Sequence, residues 1–173
     1  MLRLVNSAAT VIDVEDAGTT MRFLTAYFSV TNQHKVLTGT SRMKERPIGI
    51  LVDALRVLGV DIRYLEKEGY PPHEIQNFTG QKADKVRIRG DISSQYISAL
   101  MMIAPALPQG LTLILEGKIG SRPYIEMTAS LMRHFGAVCT FNDDKVIIPH
   151  QAYKPASFTI ESDWSAASYW FAF

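Results

Sequence analysis

The densest chemistry in this sequence lies in Leu37-Thr38-Gly39-Thr40-Ser41-Arg42-Met43-Lys44-Glu45-Arg46-Pro47, where three cations fall within five residues. A guanidinium can grip a carboxylate or phosphate through two parallel N–H donors, so the string reads as an anion grip. A solvated basic loop neutralised by Glu45 explains the same pattern. Ser93-Ser94-Gln95 offers two hydroxyls and an amide, although a helix cap followed by an ordinary first turn accounts for it equally. Lys118, Ser121, Arg122 and Tyr124 form a third polar stretch beside Gly117 and Gly120. It lacks the residue order of a Walker phosphate loop.

Other chemistries are poorly served. Cys139 is the single cysteine, which excludes an intrachain disulfide and cysteine-based metal clusters and suits a reducing, cytoplasmic setting. It follows Val138 on an expected strand, where a thiol is buried and inert. His34, His73, His134 and His150 show no metal-ligand spacing and read as surface residues. No G-x-S-x-G motif is present. Lys plus Arg number 18 against 17 Asp plus Glu, a formal charge of +1, so nothing global draws the chain to nucleic acid or an anionic membrane. No apolar run reaches the roughly 18 residues of a membrane span. The longest helix-like one, Tyr96 to Leu107, carries Ser98 and Pro105. Hydrophobic residues at 47% and charged residues at 20% are ordinary for a folded protein.

The elements that must position these groups come as a repeat. A β-branched run (Val11, Ile12, Val14) leads into Asp16-Ala17-Gly18-Thr19-Thr20 and a helical stretch to Phe28. Val86 and Ile88 lead into Gly90-Asp91-Ile92-Ser93-Ser94 and a helix from Gln95 to Leu107. Phe158 and Ile160 lead into Asp163-Trp164-Ser165. The step is 74 residues from Thr19 to Ser93 and 72 from Ser93 to Ser165. Each helix opens on small hydroxyl residues, which suit capping and, where helix starts converge, anions. The second half of the unit also recurs. Strands at Lys35 to Thr38 and Leu111 to Leu115 precede Arg46-Pro47 and Arg122-Pro123, which are 76 residues apart. Proline suits the first helical turn, and Gly59 and Gly136 suit helix ends. Val60 to Leu65 with Glu74 to Phe78, and Ala137 to Phe141 with Lys145 to Ile148, complete the units as strand pairs. Asn142-Asp143-Asp144 makes the second turn. The fold class is therefore α/β of the α+β kind: two β-α-β-α-β-β units of about 75 residues and the start of another. His150 to Pro155 reads as a connection between domains. The uncapped run Ser168-Tyr169-Trp170-Phe171-Ala172-Phe173 is expected to be a cut through a helix in a larger protein.

Together, Asp16-Ala17-Gly18-Thr19-Thr20-Met21-Arg22, Leu37-Thr38-Gly39 with Arg42-Met43-Lys44-Glu45-Arg46-Pro47, Ser93-Ser94-Gln95 and Ser121-Arg122-Pro123-Tyr124 resemble the 5-enolpyruvylshikimate-3-phosphate synthases, in order and spacing, over essentially the whole chain. The resemblance implies two globules, each of three β-α-β-α-β-β units, with the active site between them. Residues 1–80 would be the second unit of the N-terminal globule, residues 81–149 its third, and residues 150–173 a linker and the truncated start of the C-terminal globule. It implies transfer of the carboxyvinyl group of phosphoenolpyruvate to the 5-hydroxyl of shikimate-3-phosphate, with release of phosphate. The route is addition then elimination through a tetrahedral intermediate, without metal or cofactor, in an enzyme monomeric at full length. Gly18 would lie against phosphoenolpyruvate and Arg42 would bind it. Ser93, Ser94, Ser121 and Tyr124 would line shikimate-3-phosphate, and Gln95 would sit between the substrates. No catalytic proton-transfer residue is expected in this chain, so alone it is expected to be inactive.

Three departures stand out. Where the family has Asn, Ala and Pro, this sequence has Asp16, Thr20 and Phe23. Arg22 is the expected partner of Asp16. Two alternatives stay open at this stage: a non-catalytic anion-binding module of the same fold, and the enolpyruvyl transferase acting on a UDP-amino sugar. The second needs a reactive loop cysteine, a poor match to Cys139.

Overall fold

Short β-branched segments flanked by helices with one or more apolar faces leave each strand a single face to bury. The computed structural model describes residues 2–91, 93–120 and 122–160. After a single turn, α1 (Leu2–Val5), come β1 (Val11–Asp13), α2 (Gly18–Val30), β2 (Lys35–Thr38), α3 (Ser41–Lys44), α4 (Gly49–Leu58), β3 (Val60–Tyr64) and β4 (His73–Phe78). The second set is β5 (Lys85–Arg89), α5 (Ser94–Ile103), β6 (Leu111–Glu116), α6 (Arg122–His134), β7 (Thr140–Asn142) and β8 (Lys145–Ile148). A 3₁₀ turn at Ala104–Ala106 follows α5.

The two sheets have the same plan. The first runs β1-β2-β4-β3 and the second β5-β6-β8-β7. In each, the first two strands are parallel and joined through a helix, and the last two form an antiparallel pair. Val86 and Ile88 of β5 point inward while Lys85, Arg87 and Arg89 face solvent. The inner faces pack on helices. Both α2 and α5 are buried on most sides, as expected for helices enclosed by a core rather than laid on it. They lie side by side and parallel: Thr19 meets Gln95 at their starts, and Leu24 and Tyr27 share an apolar crevice with Ala99 and Ile103 further along. Ser98 and Thr128 hydrogen-bond at 2.7 Å to join α5 to α6. Gln81 stitches the connection between the sheets: its amide donates to the carbonyls of Ala83 and Gly110, and its Oε1 accepts from Gln109 N.

Helix ends follow the sequence closely. Gly59 caps α4 at φ +106°, and a Cβ there would lie 2.6 Å from the Gly80 carbonyl oxygen. Gly136, at φ +81°, plays the same part after α6. Differences arise where local signals compete. The basic string is not a plain loop, because Thr40 caps the short helix α3. Pro47 lies ahead of α4 rather than in its first turn, which opens at Gly49. Pro105 ends α5 early, and the expected helix finishes as the 3₁₀ turn because proline lacks the N–H that an α-helix needs. The start of a further unit beyond Ile160 lies outside the described residues.

Candidate functional site

The polar residues gather at the carboxyl ends of the parallel strand pairs, where each strand gives way to a helix. In the first unit the β1–α2 and β2–α3 loops are fastened together. Thr40 N donates to Glu15 O, and Thr40 Oγ1 donates to Asp16 Oδ1 at 2.5 Å. That hydroxyl also accepts from Met43 N as the cap of α3. Asp16 thus takes Thr40, not Arg22, as its partner, contrary to expectation, since Arg22 is turned away into the helix interface. Helix α2 is not capped by a hydroxyl: Ala17 holds the cap position without a side-chain bond, and Thr19 is the second helical residue. Gly18 N donates back to Asp16 O at 3.0 Å, which leaves the N–H groups of Thr19 and Thr20 open to a ligand.

Gly18 lies against Arg46. A Cβ on Gly18 would sit 2.3 Å from Arg46 Nη1 and 2.5 Å from its Cζ, so absence of a side chain is what admits the guanidinium. Arg46 Nη1 also makes a long bond, 3.4 Å, to Asp16 O. Lys44 is occupied elsewhere, paired with Glu66 at 2.6 Å, so Glu45 is not the neutralising partner. Arg42 projects from α3 into solvent, and its guanidinium makes no hydrogen bond or ion pair among the described residues.

The second unit brings α5 to the same place. Ser93 caps α5, its Oγ accepting from Gln95 N at 3.4 Å, and Ser94 is buried beside it. Gln95 Nε2 donates to Thr19 Oγ1 at 3.0 Å, and Gln95 Oε1 accepts from Arg22 Nη1 at 2.8 Å. Of the expected site residues, Gly18, Ser93, Ser94 and Gln95 are thus assembled around two adjacent helix starts. Arg42 stands on the neighbouring short helix. Tyr124 is 61% exposed in the first turn of α6, one turn before Thr128, as Ser94 is one turn before Ser98. Ser121 lies outside the described residues. Sequence reasoning missed Thr19 as a contact of Gln95, and missed the guanidinium of Arg46 as the cation nearest Gly18. The signal for Arg46 was present in the basic string, but which of three cations turns toward Gly18 depends on the α3 turn.

Two expectations about other groups separate here. Cys139 is buried just before β7, and desolvation raises its thiol pKa. His73, expected at the surface, is fully buried on β4, with its imidazole Nε2 2.9 Å from Thr25 Oγ1. Desolvation lowers its pKa to about 4. Its strand alternation places it inward, a position that residue type alone did not reveal.

The model of the EPSP synthase (3-phosphoshikimate 1-carboxyvinyltransferase) family matches residues 2–173. The chain belongs to this family. Among its relatives, the 3-phosphoshikimate 1-carboxyvinyltransferase of Bacteroides fragilis (strain YCH46) is 49% identical over 174 residues, covering 99% of this chain and 42% of that protein. The protein of the same name from Vibrio atlanticus (strain LGP32) is 46% identical over 160 residues, 91% of this chain and 37% of its own length. The chain therefore spans less than half the length of these relatives. The fold likeness extends to the EPSP synthase of Acinetobacter baumannii, with a TM-score of 0.73 at 20% identity over 86% of this chain and 32% of that one. Within the EPSP synthase family the doubled four-stranded plan is thus a shared architecture.

Proposed function

We propose that this chain is part of an enzyme that transfers the carboxyvinyl group of phosphoenolpyruvate to the 5-hydroxyl of shikimate-3-phosphate and releases phosphate. Residues 1–80 and 81–149 are read as the second and third units of one globule, and residues 150–173 as the connection to the other. The enzyme is read as cytoplasmic and monomeric at full length. One observation carries the proposal: two helix starts from successive units, Gly18-Thr19 and Ser93-Ser94-Gln95, meet through a direct hydrogen bond beside the Arg46 guanidinium. Both substrates are anions, and holding them together requires fixed positive ends and donors that need no rearrangement.

In this reading the chain's groups bind and orient. Gly18 leaves room at the phosphoenolpyruvate position, and Arg42 is the second guanidinium that binds that substrate. Ser93, Ser94, Ser121 and Tyr124 serve shikimate-3-phosphate, and Gln95 stands between the two ligands. Asp16, engaged by Thr40, is not offered for proton transfer. Burial of Cys139 with a raised thiol pKa supports this reading over the UDP-amino-sugar transferase, whose cysteine must be reactive.

Calorimetric titration of the chain with shikimate-3-phosphate tests it. Binding that is lost in Ser93→Ala and weakened in Arg42→Ala is expected. Equal binding of unrelated phosphate esters, insensitive to both substitutions, would leave only a general anion-binding module.

A further inference from the structure

Gln95 has a side chain that can be read two ways. A primary amide carries a donor at one end and an acceptor at the other, and rotating it by half a turn exchanges them at little cost when nothing opposes the exchange. Here both ends are engaged. Arg22 Nη1 donates to Oε1 at 2.8 Å, and Nε2 donates to Thr19 Oγ1 at 3.0 Å. These bonds use one of the two Nε2 protons and leave the second as a donor. The two ends are not held equally. A hydroxyl can accept or donate, so Thr19 would tolerate either orientation. A guanidinium only donates, so a reversed amide would set N–H against N–H at Arg22.

Arg22 is itself held. It is 8% exposed on α2, its guanidinium carbon lies 5.1 Å from the centre of the Tyr96 ring, and its Nε is buried without a hydrogen-bond partner. Among the described residues no carboxylate pairs with it. The Tyr96 hydroxyl donates to the carbonyl of Pro47 at 2.5 Å, next to Arg46. One buried cation therefore joins α2, α5 and the segment that brings Arg46 to Gly18.

We propose that Arg22 is a positioning residue for the anion site: it fixes the Gln95 amide so that a bound anion meets an N–H of Gln95 and not its carbonyl oxygen. The inference deepens the function proposed above and rests on it for the identity of the anion. The amide orientation can be tested without any ligand.

The first measurement is nitrogen-15 NMR of the side-chain amides in the unliganded 173-residue chain. Exchange of the Gln95 amide protons is expected to accelerate about tenfold in Arg22→Met, the equivalent of one lost hydrogen bond. Unchanged Gln95 signals in Arg22→Met would overturn the proposal. Should Arg22→Met fail to fold, Thr19→Val answers the same question, because it removes only the partner of Nε2. An amide held by Arg22 stays ordered in that variant, whereas one that becomes mobile was held by Thr19 and the proposal falls. The second measurement is a double-mutant cycle on shikimate-3-phosphate binding. Gln95→Ala should weaken binding about tenfold in the wild-type background and leave it unchanged in Arg22→Met. Equal losses in both backgrounds would overturn the positioning role. If the wild-type chain does not bind shikimate-3-phosphate, the assigned function fails, and the ligand-free amide measurement alone then decides for or against Arg22.

Discussion

At Gly18, the missing side chain is what admits the Arg46 guanidinium. A methyl group there would displace the end of a flexible arginine, not backbone. We therefore expect Gly18→Ala to leave folding stability within about 0.5 kcal/mol of wild type while sharply weakening phosphoenolpyruvate binding. Thermal unfolding beside calorimetry checks both halves. His73 makes a prediction of opposite character. Burial lowers its folded-state pKa to about 4 from the ordinary histidine value of 6.5. Below pH 6.5 the unfolded chain takes up a proton that the folded chain refuses, so stability declines from there toward pH 4. Urea unfolding at pH 7 and pH 4.5 should show wild type losing about 2 kcal/mol more than His73→Gln. An identical pH dependence for the two proteins would show that the imidazole is protonated without cost in the fold. The residue types needed for the site were legible in the sequence, because hydroxyls and cations recur at strand ends. Their partners were not. Nothing in the spacing of Arg22 and Asp16, six residues apart, shows that one turns into a helix interface and the other toward Thr40. That choice is made by α5, contributed from more than seventy residues away.

At the level of elements, the strands and long helices were readable because each combines a clear period with a terminator. Lys35–Thr38 was legible to the residue, and Gly59 and Gly136 stop their helices where a left-handed backbone is required. The short turns α1 and α3 were not legible, since four residues carry no periodicity and α3 depends on the Thr40 cap. The contact between α5 and α6 offers a test of how helices are held. Thr128 Oγ1 donates to Tyr124 O, so in the 2.7 Å pair Ser98 is the donor and Thr128 the acceptor. Thr128→Val strands the Ser98 hydroxyl in the core, whereas Ser98→Ala leaves Thr128 still bonded. Thr128→Val should thus destabilise by about 1–2 kcal/mol more than Ser98→Ala in urea unfolding. Equal costs would mean that Ser98 finds another acceptor.

For the molecule as a whole, the duplication matters more than either unit. One unit supplies Gly18, Thr19 and the arginines; the other supplies Ser93, Ser94 and Gln95. The proposed binding face exists only because α2 and α5 pack in the same direction. The chain covers 42% of the Bacteroides fragilis relative, and in the proposed reaction the proton-transfer groups belong to the remainder. Because bringing reactants and catalytic groups together supplies much of an enzyme's rate, the 173-residue chain with both substrates should release no phosphate above a boiled-protein control. Turnover above that control would require proton transfer by groups within these residues.

The Gln81 stitch has a practical side. Its three hydrogen bonds pin the crossover between the two sheets to the turn that precedes β6. A protease needs a strand of backbone it can draw into its cleft, and this junction offers none without breaking those bonds first. Residues 152–160 are exposed and lack regular structure, so limited digestion should trim that end and leave the paired sheets as one resistant piece.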